Sequence, residues 1–288
     1  MSRAGFTSAD PHTNGQAVAA ASAVQAEGDH CGPRCASIKA EQLCVRYGNT
    51  MALANLHTRI EPCRITALVG PSGCGKTSFL RCLNRLTDMV PGCRVDGQVW
   101  IAKTPVHQRD TDVVALRRRV GMIFQKPNPF PMSIRKNLEL PLRGIGLRDR
   151  RVISDRIEQG LRDVGLWYEV KDRLRRSALD LSGGQQQRLC LARALILEPE
   201  VLLLDEPCSA LDPMASGVVE DLILSLRRRF TIVTVTHNLA QARRVADDTL
   251  VFWTRDGVGQ LIEAGATEQV FEAPTHSLTA SYVNGDRG

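Results

Sequence analysis

Three short stretches of this chain carry residue types that together could handle a polyphosphate. Gly70-Pro-Ser-Gly-Cys-Gly-Lys-Thr77 fits the pattern G-x-x-x-x-G-K-[ST]. Glycines let a backbone curl until successive N–H groups point inward at phosphate oxygens. Gly70, Pro71, Ser72, Gly73, Cys74 and Gly75 would form that cradle, with Ser78 just behind it. Lys76 would reach the β- and γ-phosphates, and the Thr77 hydroxyl would face Mg²⁺. A plain glycine-rich turn would leave Lys76 and Thr77 without a role. The second stretch, Val201-Leu-Leu-Leu-Asp-Glu206, is an apolar run ending in two carboxylates. Asp205 can hold Mg²⁺, commonly through water, and Glu206 can orient or deprotonate an attacking water. An acidic, solvated strand end is the bland alternative, and the phosphate loop in the same chain weakens it.

The third stretch is Leu181-Ser-Gly-Gly-Gln-Gln-Gln-Arg188. Ser182, Gly183, Gly184 and Gln185 expose a hydroxyl and backbone N–H groups where a helix begins, which makes a second anion-binding helix start. One protomer has a single phosphate loop to serve. A second site for a γ-phosphate therefore suggests ATP held between two copies of the chain.

These residues need elements to position them. Residues 65–69 are an apolar run that ends at the glycine loop, the pattern of a buried parallel strand. From Thr77 a helix is predicted, with Phe79, Leu80, Leu83 and Leu86 on one face. Strands are predicted near 38–47, at 120–124, 201–204, 231–236 and 249–253, and helices at 217–226 and 239–246. Ile153, Ile157, Leu161 and Val164 recur at helical spacing between them. Alternation of strand and helix argues for an α/β core with a mostly parallel sheet. A helical block at about 126–180 interrupts the alternation, after a proline-rich loop at 127–131.

Composition excludes several classes. The 288 residues are 43% hydrophobic and 24% charged, which rules out a collagen, a wholly disordered chain and a disulfide-framed mini-protein. Residues 1–36 are rich in Ala, Ser, Gly and Asp and read as a disordered tail before a single domain at 37–288. No apolar run approaches the roughly 18 residues that a membrane-spanning helix needs. The nine cysteines are scattered, no secretory signal precedes them, and they read as reduced cytosolic thiols.

Leu-Ser-Gly-Gly-Gln, with the other motifs in the same order, resembles the ATP-binding cassette (ABC) family from about residue 37 to 271. The resemblance implies a P-loop NTPase fold with an N-terminal antiparallel β subdomain and an inserted helical subdomain. It implies that Tyr47 stacks on adenine, that Gln125 touches Mg²⁺ and the water, and that Asp212 lies on a loop along a dimer interface. It also implies that His237 contacts the γ-phosphate. Catalysis would then rest on Glu206, His237, Gln125 and Lys76, and Mg²⁺ on Thr77, Gln125 and Asp205. The stretch Gly121-Met-Ile-Phe-Gln-Lys-Pro-Asn-Pro-Phe-Pro-Met-Ser-Ile134, the run Phe79-Leu-Arg81 and the three glutamines 185–187 resemble the ATPases of bacterial phosphate importers (the Pst-type branch).

That branch implies a head-to-tail dimer, two transmembrane permease subunits, an indirect link to a phosphate-binding receptor protein, and a peripheral place on the cytoplasmic face of the bacterial inner membrane. Two other readings stay open at this point: the ATPase of another ABC importer, for an amino acid or another anion, and a soluble nucleic-acid-associated ABC ATPase. The net charge of +6 bears on the choice. Residues 126–180 hold thirteen basic against eight acidic residues, so most of the excess lies in the helical block. A membrane-facing surface explains that placement better than nucleic acid, which is not expected as a partner.

Overall fold

A computed structural model describes residues 35–285. The tail expectation for residues 1–34 lies outside the described residues. Its last two positions belong to the folded body: Ala36 is buried, and its carbonyl accepts a hydrogen bond from the Thr231 hydroxyl at 2.8 Å.

The chain opens with β1 (Ile38–Tyr47) and β2 (Thr50–Ile60), an antiparallel pair that buries Ile38, Ala40, Leu43 and Val45 of the first strand and Leu53, Leu56 and Ile60 of the second. β3 (Ile65–Val69), buried at every position, leads through the glycine loop into α1 (Lys76–Cys82). The predicted helical face reached Leu86, but α1 stops earlier because Arg85 takes a left-handed backbone and a short 3₁₀ turn (Leu86–Met89) follows. β4 (Cys93–Ile101), β5 (Thr104–Pro105), α2 (Val113–Arg119) and β6 (Val120–Ile123) come next. The helical block contains α3 (Ile134–Gly144), α4 (Arg150–Asp163) and α5 (Trp167–Val170). It is followed by α6 (Gly183–Leu195), β7 (Val201–Asp205), α7 (Pro213–Ser225) and β8 (Thr231–Val235). α8 (Leu239–Val245), β9 (Asp248–Arg255), β10 (Val258–Ala266), α9 (Thr267–Glu272) and α10 (Ser277–Val283) complete the described chain. α7 starts four residues before the predicted 217, because Asp212 caps it and Pro213 suits a first helical position.

One ten-stranded sheet runs in the order β5-β4-β1-β2-β10-β9-β3-β8-β7-β6. Its β9-β3-β8-β7-β6 part is parallel, and the part carrying β4, β1 and β2 is antiparallel. The sheet is therefore mixed, with the parallel half where the alternation of strand and helix placed it. β3, β8 and β7 are buried at every position because helices cover both faces of a parallel sheet.

The antiparallel register also explains a correction. Ile38 pairs with Ile60, so Cys35 and Cys63 sit three residues beyond the end of one ladder, with Cα atoms 5.4 Å apart. That spacing lies within disulfide reach, and the two are bonded, so the reading of all nine cysteines as reduced thiols fails for this pair. Sequence spacing alone could not reveal that approach.

The helical block packs on α6. Leu138, Leu142, Ile153, Ile157 and Leu161 share one core with Leu189 and Leu195. Three polar clamps, from Asn137, Arg193 and Glu169, add direction to this apolar contact. Asn137 on α3 is fully buried and accepts from the Phe130 N–H at 2.8 Å. Its amide donates to the carbonyls of Phe130 and Ser133. Arg193 on α6 donates to the Asn128 carbonyl at 3.0 Å and lies over the Phe130 ring, 4.2 Å from its centroid. The proline-rich loop after Gln125 is thus held from two helices. Glu169 on α5 accepts from Gln185 at 2.7 Å and pairs with Arg188 at 2.8 Å, tying α5 to the first turns of α6.

Two outcomes follow from these clamps. Asn137→Ala orphans buried backbone groups, so about 1–3 kcal/mol of stability should be lost. Hydrogen exchange should accelerate first in residues 127–133, and uniform acceleration would contradict the clamp. For Glu169, burial pushes the carboxyl up, but its bonds to Arg188 and Gln185 outweigh burial and hold it below the ordinary carboxylate range. A depressed carboxylate stabilises the fold above its unfolded pKa, and that contribution disappears as pH falls through the folded one. Urea unfolding of Glu169→Gln should therefore lose less stability on acidification than the parent. The difference at neutral pH should stay within about 1 kcal/mol, because the pair is partly exposed.

Candidate active site

The parallel order β3-β8-β7 brings three strand ends to one edge. Leu68 is level with Val235, and Val235 with Asp205. One or two residues further along each strand stand Gly70, His237 and Glu206. The ladders continue just past the strands: the Glu206 N–H donates to the Val235 carbonyl, and the Thr236 N–H to that of Leu68. Strand pairing thus sets the distance between the phosphate loop and the acidic strand end.

The loop itself is tightly built. Gly70 has φ +137°, and a Cβ there would stand 2.1 Å from the Phe252 carbonyl oxygen, so no other residue fits. Lys76 is nearly buried, and its ammonium donates to the carbonyls of Gly70 and Pro71, both at 2.7 Å. Cys74 is fully buried beside it, and burial pushes its thiol up. Gly73 is open on the side where a side chain would stand, and Ser72 is exposed. Gly75, also in a left-handed conformation, caps α1.

Thr77 donates from its hydroxyl to Asp205 at 2.9 Å. Burial pushes the Asp205 carboxyl above its ordinary value, and the Thr77 bond and the nearby Arg81 offset only part of that. A buried carboxylate with too little positive charge around it, next to a hydroxyl, is a hard-oxygen donor set that a small divalent cation would satisfy.

Glu206 takes a left-handed backbone, φ +48°, which costs a non-glycine residue of order 1–3 kcal/mol. The carboxylate accepts from Gln125 Nε2 at 3.0 Å and lies 3.3 Å from His237 Nδ1. Residues from two other chain segments therefore converge on one Glu206 carboxylate oxygen. Tyr47, at the end of β1, stands beside α1, where its hydroxyl shares a hydrogen bond with Ser78 and burial pushes the phenol up.

Ser182, Gly183, Gly184 and Gln185 lie elsewhere. Ser182 and Gln185 form a reciprocal capping box at the start of α6. A Cβ on Gly184 would stand 2.9 Å from that of Ala215, so this glycine lets α6 meet α7. The exposed Asp212 caps α7 by accepting from the Ala215 N–H at 3.0 Å. Among the described residues, no hydrogen bond joins this group to the phosphate loop.

Sequence reasoning missed four residues that brace the site. Gln187 is fully buried, and its amide donates to the Pro207 carbonyl at 3.0 Å, one residue past Glu206. Tyr282 on α10 is buried, with its hydroxyl at the Gly70 backbone and its ring edge-on to Trp253. Asn137 and Arg193 are the other two. A polar residue inside an apolar helical face was the available signal for Gln187 and Asn137. Nothing local marks Tyr282.

Comparison with known proteins agrees with this architecture. The family model described as ABC transporter matches residues 53–209. The chain is 58% identical over 258 residues to the phosphate import ATP-binding protein PstB 1 of Nitrosococcus oceani, covering 90% of this chain and 93% of that one. It is 46% identical over 260 residues to PstB 2 of Aliivibrio fischeri, covering 90% and 94%. Among solved structures it resembles cbiO1 of Clostridium perfringens, part of the ABC transporter complex cbiONQ. That likeness has a TM-score of 0.70 and 25% identity over 82% of this chain and 90% of that one. With its phosphate loop, acidic strand end and capped Ser-Gly-Gly-Gln helix on one mixed sheet, the chain belongs to the ABC transporter family.

Proposed function

We propose that this chain is the ATP-binding and hydrolysing subunit of a phosphate import ABC transporter. The observation that carries the catalytic part is the convergence of Gln125 and His237 on Glu206, beside the Thr77–Asp205 pair and the phosphate loop. The identities to PstB proteins support phosphate as the solute. No helix among the described residues is long and apolar enough to cross a membrane, and the permease subunits of the transporter would supply the membrane-spanning path.

In this reading Gly70, Pro71, Ser72, Gly73, Cys74 and Gly75 wrap the β- and γ-phosphates, with Ser78 supporting the loop from α1. Lys76, already held at the mouth of the loop by two carbonyls, turns its charge onto the phosphate oxygens. Tyr47 offers its ring beside α1 for the adenine. Thr77, Asp205 and Gln125 would hold Mg²⁺, which when bound neutralises charge developing on the phosphates. Glu206 orients the water and takes its proton, and Gln125 and His237 fix the carboxylate that does so. His237 then faces the γ-phosphate as negative charge develops.

Ser182, Gly183, Gly184 and Gln185 would close over the ATP of a second copy, giving a head-to-tail dimer. Two features support that reading. The group makes no hydrogen bond to its own phosphate loop among the described residues. Asp212 is followed by Met214 and Val218, which are 85% and 49% exposed, an apolar face suited to a partner copy. The permease would seat between the loop after Gln125 and the helical block, where Met122, Phe130 and Leu140 line a cavity of about 320 Å³. Loop and helical block share the Asn137 and Arg193 clamps, so movement at Gln125 would be felt there.

Glu206→Gln keeps the shape and removes the base. It should bind ATP with the parent's affinity, turn over at least ~100-fold more slowly, and become dimeric with ATP in light scattering. Turnover at the parental rate would remove Glu206 from this role.

A further inference from the structure

A second basic concavity lies outside this machinery. The stretch between α5 and α6 forms a 3₁₀ turn (Lys171–Arg173), an extended segment and a second 3₁₀ turn (Ala178–Asp180). It folds against the start of α3. The Ile134 N–H donates to the Arg176 carbonyl at 3.0 Å, and the Arg135 N–H to that of Leu174 at 2.9 Å. Ser133 and Ser177 form an isolated bridge, and the Ala178 N–H donates to the Met132 carbonyl at 2.9 Å. Between these segments opens a cleft of about 1020 Å³.

Five cationic side chains line it: Arg135, Lys171, Arg173, Arg175 and Arg176. Two carboxylates, Asp172 and Asp180, also line it. Arg135 is occupied, since it pairs with Glu139 at 3.4 Å and donates to the Ser154 hydroxyl. Arg173 donates to the Glu169 carbonyl, and Lys171 lies over the Tyr168 ring. Among the described residues, no carboxylate comes within ion-pair distance of Lys171, Arg173, Arg175 or Arg176. Elsewhere in the helical block, Arg143, Arg156 and Arg162 each have a carboxylate partner, whereas Lys126, Lys136, Arg148, Arg150 and Arg151 have none among the described residues; the cleft differs from those in gathering its four cations around one concavity. These four exposed cations converge on one concavity and outnumber the two carboxylates that line it, so an anion with several oxygens would meet several of them at once. Guanidinium groups suit such an anion because they donate in pairs to adjacent phosphate oxygens.

We propose that this cleft binds a phosphate-type oxyanion, either free inorganic phosphate or the headgroup of an anionic phospholipid, and that its occupancy is coupled to the ATP site. The coupling has a visible route. One wall of the cleft continues through Leu181 into Ser182, and the other is the start of α3, immediately after the loop that leaves Gln125. An anion bridging Arg175 and Arg176 to the start of α3 would tie these two approaches together. Coupling between binding sites is reciprocal, so ATP must change the anion's affinity by the factor by which the anion changes ATP's. The coupling rests on the ATPase reading above, whereas anion binding can be measured without turnover.

The test uses the full chain saturated with a non-hydrolysable ATP analogue, so that the phosphate loop is filled. Inorganic phosphate is titrated by calorimetry at fixed ionic strength, with chloride as the control. In parallel, vesicles of phosphatidylglycerol are compared with vesicles of phosphatidylcholine. Phosphate should bind at a single further site, and Arg175→Glu with Arg176→Glu should weaken it roughly tenfold or more while leaving the analogue's affinity measured without phosphate unchanged; added phosphate should shift that affinity in the parent and not in the variants, and no shift in the parent would overturn the coupling. Arg175→Gln with Arg176→Gln serves if charge reversal prevents folding. Binding to phosphatidylglycerol vesicles alone, lost in the same variants, would identify the headgroup as the source of the oxyanion. Absence of both kinds of binding, equal binding by the variants, or an equal response to chloride would overturn the proposal. Normal ATP hydrolysis with no anion binding would refute the cleft alone and leave the ATPase reading intact.

Discussion

In the proposed mechanism Glu206 is a base next to the phosphate loop, which requires that it not collapse onto Lys76, and the rest of the structure follows from that constraint. A free carboxylate at a strand end would rotate towards the nearest ammonium. Here its oxygen is claimed by Gln125 and His237, and its backbone is forced left-handed. Lys76 is occupied by the carbonyls of its own loop, and Asp205 by Thr77. Each charged group is thus tied to a partner other than the one it would otherwise neutralise. Three adjacent parallel strands are needed to bring these pairs to one edge, and this explains why the parallel half of the sheet lies under the site.

α6 connects the parts of that arrangement. Its first turn carries Ser182 and Gln185, its middle reaches Pro207 through Gln187, and its end grips the loop after Gln125 through Arg193. One helix therefore touches the second anion-binding motif, the residue after Glu206 and the segment leading to the helical block. A rigid element with contacts at both ends transmits displacement, because packed cores yield by shifting as units rather than by stretching. In the proposed function that geometry would let hydrolysis beside Glu206 move the surface proposed to seat the permease.

Much of this was legible beforehand, for a physical reason. Phosphate chemistry needs glycine, lysine and hydroxyl residues at fixed spacing, so Gly70, Lys76 and Thr77 show themselves locally. The buried strands at 65–69, 201–205 and 231–235 show themselves by short runs dominated by Val, Leu and Ile. Long-range contacts were not legible. The Cys35–Cys63 bond depends on the register of β1 against β2, and two cysteines 28 residues apart give no hint of it. Gln187 looked like one of three equivalent glutamines until its burial set it apart. Tyr282 reaches Gly70 from the far end of the chain. The ends of α1 and α7 were set by Arg85 and Asp212, single residues whose backbone or capping role outweighed the hydrophobic period.

The account joins two claims, that this site hydrolyses ATP and that hydrolysis is spent on importing phosphate. They meet in the ATPase rate of the assembled transporter, reconstituted in vesicles with its permease and receptor proteins. Phosphate outside the vesicle, at the receptor's side, should raise that rate several-fold over its basal value, and an amino acid or sulfate at the same concentration should not. A rate indifferent to phosphate, or one raised equally by another solute, would contradict the account.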